Sequence, residues 1–201
     1  MAHGHSPRSN DHLLTNVVAG MVGGLVGSWV MDRFQEALGR LSHGGGRQGR
    51  QPEAEPATYK AADAVVRTVT GRRLPDEYKP AAGALIHYAF GGAVGAIYGA
   101  AAARQPDVTA WGGLPFGATL WVTADEMGVP LSGLSKSPTA YPLSNHATAF
   151  ATHLVYGATT EAVRRLLVKS ADHYFGFGAA EGASGRRSSP TSAQPLPARR
   201  K

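Results

Sequence analysis

Two apolar runs free of Asp, Glu, Lys and Arg constrain this chain more than any other feature. Residues 13–31 give 19 such positions and residues 81–103 give 23. About 18 consecutive apolar residues suffice for one helix to cross a bilayer. Two further runs, 108–124 and 147–168, are shorter or more polar. The first run exceeds the usual core of a cleaved leader, and Ser28-Trp29-Val30-Met31-Asp32 offers no small-x-small cleavage site. A retained helix is therefore expected.

Whole-chain averages hide this block structure. The 17% of charged residues read as soluble, but they collect between the apolar runs. A net charge of +6 could suit nucleic acid. The Lys and Arg residues instead flank the apolar runs, so the bilayer and its anionic headgroups, met by the first loop and the tail, are the expected partners, with no nucleic acid. The absence of cysteine excludes disulfides and thiolate metal sites.

The expected architecture is an all-α membrane protein, a bundle of four membrane-embedded helices at about 13–41, 81–103, 108–125 and 146–168. An amphipathic helix at 57–70 lies in the first loop, with Ala62, Val65, Val66 and Val69 on its apolar stripe. Beside Arg72 and Arg73 it is expected on the headgroups, or as a solvated cover. Residues 1–12 form a polar tail carrying His3, His5 and His12. Residues 44–49 are a glycine linker, 127–141 a loop and 169–201 a disordered basic tail. The third run, with Pro115 and a terminal Asp125-Glu126, is either a full span or re-entrant. If all four segments cross, Lys and Arg divide 10 to 10 between the two sides; if the third does not, 17 to 3. Only the second division specifies an orientation, with the first loop and tail cytoplasmic.

Glycine recurs at four-residue spacing on both long runs. The first carries Asn16, Gly20, Gly24, Ser28 and Asp32; the second carries Gly83, His87, Gly91, Gly95 and Gly99. Residues four apart share a helix face, and a face without side-chain bulk lets two backbones meet closely in lipid. These stripes predict helix packing, within the chain or in a homo-oligomer.

Ionisable groups at membrane depth are the candidate site: His87, Asp125, Glu126, His146, His153 and Glu161. His146 and His153 share a face, and Gly157 and Glu161 extend it. Three readings compete. The histidines are neutral and hydrogen-bonded between helices, with Glu161 paired to Arg164 or Arg165. Alternatively, His87, His153 and the acids form a proton-responsive cluster or conduction path. In the third, His87, Glu126, His146 and His153 converge on a metal, without any compact HxxxH or HExxH spacing to support it. No Walker loop, G-x-S-x-G elbow or dinucleotide fingerprint occurs, so no catalytic residue, cofactor or resident metal is assigned.

Several motifs together resemble the YagU-like family of bacterial inner-membrane proteins, a domain of unknown function. They are Leu85-Ile86-His87 and the Gly/Ala/Tyr-rich run to Tyr98; Ala110-Trp111-Gly112-Gly113-Leu114; Met127 through Pro130-Leu131-Ser132-Gly133-Leu134; and His153-Leu154-Val155 with Glu161 and Arg164-Arg165. The first helix is similar to the family's glycine-rich opening. The resemblance covers most of residues 13–168 and departs at Asp125-Glu126, where a histidine is expected nearby. It implies a multi-pass inner-membrane protein without an established activity. The expectation is a non-enzymatic helix-packing or oligomerising module, responsive to acid through buried histidines. The alternatives are a small transporter or channel using His87, His153, Asp125 and Glu126, or a metal-dependent membrane enzyme.

Overall fold

The computed structural model describes residues 7–42 and 55–184. His3, His5, the 44–49 linker and residues 185–201 lie outside the described residues. Among the described residues every regular element is helical. The chain divides into two compact units, Met1–Val168 and Lys169–Lys201.

Helix α1 (Pro7–Ser42) opens on proline, whose fixed φ suits a first helical position, and so takes up residues 7–12 of the expected polar tail. Helix α2 (Ala57–Thr70) stops at Gly71, where a φ of 71° turns the chain back and the Gly71 N–H bonds the Arg67 carbonyl. Helix α3 (Lys79–Arg104) follows, its first residue paired with Glu55 at 2.8 Å and Asp76 at 2.7 Å. Helix α6 (Leu143–Ser184) closes the described chain. Its last part lies in the second unit and corrects the disorder expected from residue 169. No proline interrupts the sequence between Pro142 and Pro190, and extending an existing helix needs no new nucleus.

The third apolar run departs most from expectation. Its start is 3-10 rather than α-helical and then breaks, because Trp111, Gly112 and Gly113 take left-handed φ values of 57°, 66° and 84°. Two glycines supply the turn that α-helix at 108–113 would need to exclude. The helical stretch begins instead at α4 (Leu114–Leu120), widens to π geometry over Trp121–Gly128 and ends in α5 (Val129–Leu131). Within it the Val129 N–H bonds the Ala124 carbonyl, five residues back. Pro130 explains the widening, since its ring cannot tolerate the Glu126 carbonyl where an α-turn would put it. The stretch thus takes over part of the expected 127–141 loop.

In the first unit, α1 and α3 run antiparallel with their glycine stripes facing. An added Cβ would lie 2.2 Å from the Gly95 carbonyl oxygen at Gly20, and 2.2 Å from that of Gly91 at Gly24. At Gly99 it would lie 2.0 Å from the Asn16 oxygen. Only hydrogen fits these positions. The α6 backbone approaches α1 at Gly23, whose Cβ would meet the Thr160 oxygen at 2.6 Å, and α4 at Gly117, where the His153 oxygen would stand at 2.2 Å. Four antiparallel neighbours therefore pack through backbone rather than large side chains. The buried hydrophobics are mostly small or aromatic (Ala19, Ala102, Tyr98, Tyr156), while Trp29, Leu85 and Ile97 point outward. By length and composition two helical segments can cross a membrane, Asn10–Leu41 and Asp76–Arg104.

Candidate functional site

The antiparallel register sorts the polar residues to the two ends of the helix cluster, each with its own chemistry. At the end holding the C-terminal half of α1 and the start of α3, Asp32 faces α3. It accepts a hydrogen bond from the Tyr88 hydroxyl at 2.9 Å. His87 Nε2 stands 3.3 Å from the other Asp32 oxygen, out of hydrogen-bond alignment. His87 thus keeps a buried ring nitrogen unpartnered.

His153 enters this end from α6, its Nδ1 donating to the Ala149 carbonyl at 2.8 Å. A carbonyl only accepts, so a neutral His153 has a bare Nε2. Asp125 comes from the π segment, and its carboxylate accepts no hydrogen bond from the described residues, while its charge is felt by His153, Glu126 and His146. Asp32, His87, Asp125 and His153 line one half-open cavity of about 620 Å³. Its wall is mostly apolar, and α2 covers it with Tyr59, which abuts Gly83. This docking gives α2 a partner within the chain; Ala62 is buried, while Val65 and Val69 face out at 53% and 79% exposure. Lys60 pins the cover by donating to the Leu134 carbonyl at 3.0 Å.

A second cavity of about 610 Å³ adjoins the first, with Asp125 and Ala149 in both walls. It holds Glu126 and His146, 2.7 Å apart from Oε1 to Nδ1. The same ring's Nε2 donates to the Pro138 carbonyl at 3.0 Å. Two acceptors on the two ring nitrogens favour the imidazolium.

The opposite end is closed. Glu161 is 1% exposed and takes two hydrogen bonds from Arg164, at 2.7 and 2.8 Å, and one from Arg165. Arg164 also donates to Asn16 on α1 at 2.6 Å, and Arg165 to the Thr109 carbonyl at 2.9 Å. Between the two ends Tyr98 and Phe116 stack with centroids 4.2 Å apart, and Tyr156 donates to the Gly91 carbonyl at 2.7 Å.

The six ionisable residues singled out by sequence therefore form three groups. His87, His153 and Asp125 line one cavity; Glu126 and His146 pair beside it; Glu161 belongs to the far end. Glu161 pairs with both arginines, where a single partner was expected. The metal constellation of His87, Glu126, His146 and His153 is divided between two cavities, and among the described residues no three His, Asp or Glu groups converge as metal ligands would. Gly20, Gly24, Gly91, Gly95 and Gly99 lie in the α1–α3 seam, with Ser28 against Gly91; Gly83 receives Tyr59 instead. Sequence reasoning missed Asp32, Asn16 and Tyr88 as members of these groups. The signal for the first two was present, because both end the α1 stripe at its four-residue spacing.

No curated protein and no solved structure matches the chain. Residues 70–162 match the model of a family described as a protein of unknown function (DUF1440), a stretch that holds His87, Asp125, Glu126, His146, His153 and Glu161 but not Asp32 or Asn16.

Proposed function

We propose that the chain is a four-span protein of the bacterial inner membrane, not an enzyme, that admits a small solute or protons through the cavity around His87, His153 and Asp125. One observation carries this reading: residues from four helical segments, far apart in sequence, place two carboxylates and two imidazoles in a single half-open cavity. Ionisable groups in a membrane bundle mark ion or substrate paths. The reversed burial supports the membrane setting, with glycine and polar side chains inside and Trp29, Leu85 and Ile97 outside. Helix α4 and its π and α5 continuation extend over residues 114–131, packed on α6, which suits a full third crossing. The α1–α3 glycine stripes meet within one chain, so a homo-oligomer would use another face. Acid sensitivity then belongs to the cavity histidines and the Glu126–His146 pair.

The chain has no cysteine, so a single introduced thiol reports its own surroundings. In oriented vesicles Lys136→Cys and Ala149→Cys should react with a membrane-impermeant thiol reagent from one side, and Asp107→Cys from the other. Labelling of positions 107 and 136 from the same side would remove the four-span topology. An Ala149→Cys thiol inert from both sides would remove the hydrated cavity.

A further inference from the structure

The geometry points to a specific class of occupant for this cavity, a small organic cation with an apolar body, its ammonium group held by Asp125 and Asp32. This rests on the reading of the cavity as a solute site. Asp125 is the first argument. It lines both cavities and accepts no hydrogen bond from the described residues. A carboxylate within a membrane bundle is costly without a partner, and a cation in the cavity supplies one.

The wall gives the second argument. It contains Asp32 and Asp125 but no Lys or Arg, and its histidines carry no charge when deprotonated. An anion would meet two carboxylates and no fixed positive charge. The apolar lining includes the rings of Tyr59, Phe90 and Tyr156, which suit the body of the solute and, face-on, its charge. A volume of about 620 Å³ is that of a small-molecule site.

The other ionisable groups near Asp125 are compatible. Its charge interacts with His153 of the same cavity and with Glu126 and His146 of the adjoining one. Lys60 is held at the Leu134 carbonyl. The fixed charges in the first cavity's wall are thus both negative.

The test is equilibrium binding of phenethylammonium, and of its neutral analogue 2-phenylethanol, to the full chain in lipid nanodiscs, with empty nanodiscs as reference. The cation should bind at least about tenfold more tightly than the alcohol, and Asp125→Asn should weaken it roughly 10- to 100-fold, the range for a lost charge-assisted hydrogen bond. Asp107→Asn, exposed at the opposite end, should bind like the native chain. Equal binding of cation and alcohol would overturn the cationic class and leave the solute site standing. That comparison uses the native chain and so does not depend on a variant folding. Unchanged cation binding in Asp125→Asn would also overturn the assignment. Binding of neither probe, with Ala149→Cys still labelled from one side, would overturn this inference alone; binding of neither with that thiol inert would remove the cavity reading as well.

Discussion

Gly95→Ala tests whether the α1–α3 seam depends on missing side chains, and the sign of the effect follows from the distances. A Cβ at Gly95 would stand 2.3 Å from the Gly20 oxygen and 2.8 Å from the Gly24 Cα. Both are backbone atoms and cannot rotate away. Reaching the ordinary contact distance of 3.4 Å requires the helices to part by about 1.1 Å at this point. A gap of about 0.5–1 Å already forfeits a quarter to a half of the van der Waals well for each facing pair. Overpacking of this kind costs about 1–3 kcal/mol, and contact with rigid backbone places Gly95→Ala in the upper part of that range. Alanine's better helix propensity returns at most about 1 kcal/mol. The expected net loss is therefore about 1–2 kcal/mol, and Gly95→Leu should exceed it. Gly39 lies on the same helix as Gly20 and has nothing within 4 Å of its added Cβ, so Gly39→Ala should stabilise by about 0.5–1 kcal/mol. Unfolding by SDS titration in mixed micelles, followed by circular dichroism, measures both, and the effect should not vary with protein concentration. Shifts of the same sign and size at the two positions would refute the seam argument.

Glu161→Gln should destabilise the chain by about 3–5 kcal/mol, because Arg164 would be left with its charge buried. Glu161→Gln with Arg164→Met should recover most of the loss in the same titration, and a single-variant loss below about 1 kcal/mol would contradict the closed-end network. The Glu126–His146 pair predicts a pH dependence with a definite sign. With the Glu126 carboxylate on Nδ1 and the Pro138 carbonyl on Nε2, the ion pair exists only while the ring is protonated, so its stabilisation is lost as pH rises and the imidazolium gives up its proton. The stability difference between the native chain and Glu126→Gln should be full in mild acid and shrink in alkali; growth with rising pH would count against the imidazolium assignment.

How much of this was legible in sequence differs from element to element. The α2 bounds follow from Pro56 and Gly71, residues whose backbone preferences act locally. The stripes on α1 and α3 were visible because a four-residue glycine spacing has only one geometric meaning on a helix. The third run was misjudged at its start, since hydropathy cannot distinguish Gly112-Gly113 in a helix from the same pair in a left-handed turn. Its far end was misjudged because the Gly, Ser and Pro content of residues 127–141 reads as a loop, whereas the structure absorbs Pro130 by widening the turn before it. At the candidate site, each ionisable residue was recognisable from its setting, but the grouping was not. Which of His146 and His153 meets Glu126 depends on how α6 is set along the π segment, a tertiary variable absent from the spacing. Asp32 was passed over as the end of a packing stripe, and the same periodicity brings it opposite His87.

The two ends of the helix cluster treat buried charge in opposite ways, and that contrast locates function. Glu161 has three charge-assisted hydrogen bonds from two guanidiniums, and Arg164 reaches across to Asn16. Such a network is satisfied within the chain, gains nothing from a ligand, and would resist movement. At the other end Asp125 accepts no hydrogen bond from the described residues, while buried polar atoms without a partner occur along the whole cluster, Thr160 Oγ1 beside Glu161 and Tyr98 OH as well as His87 Nε2 and Ser28 Oγ. The Asp125 carboxylate thus goes without the charge-assisted hydrogen bonds that Glu161 receives. The π segment fits this division, since an irregular helix exposes Asp125 to both cavities where a regular one would continue the close packing. One end therefore holds the helices in register, and the other is left chemically incomplete, where a cation can complete it.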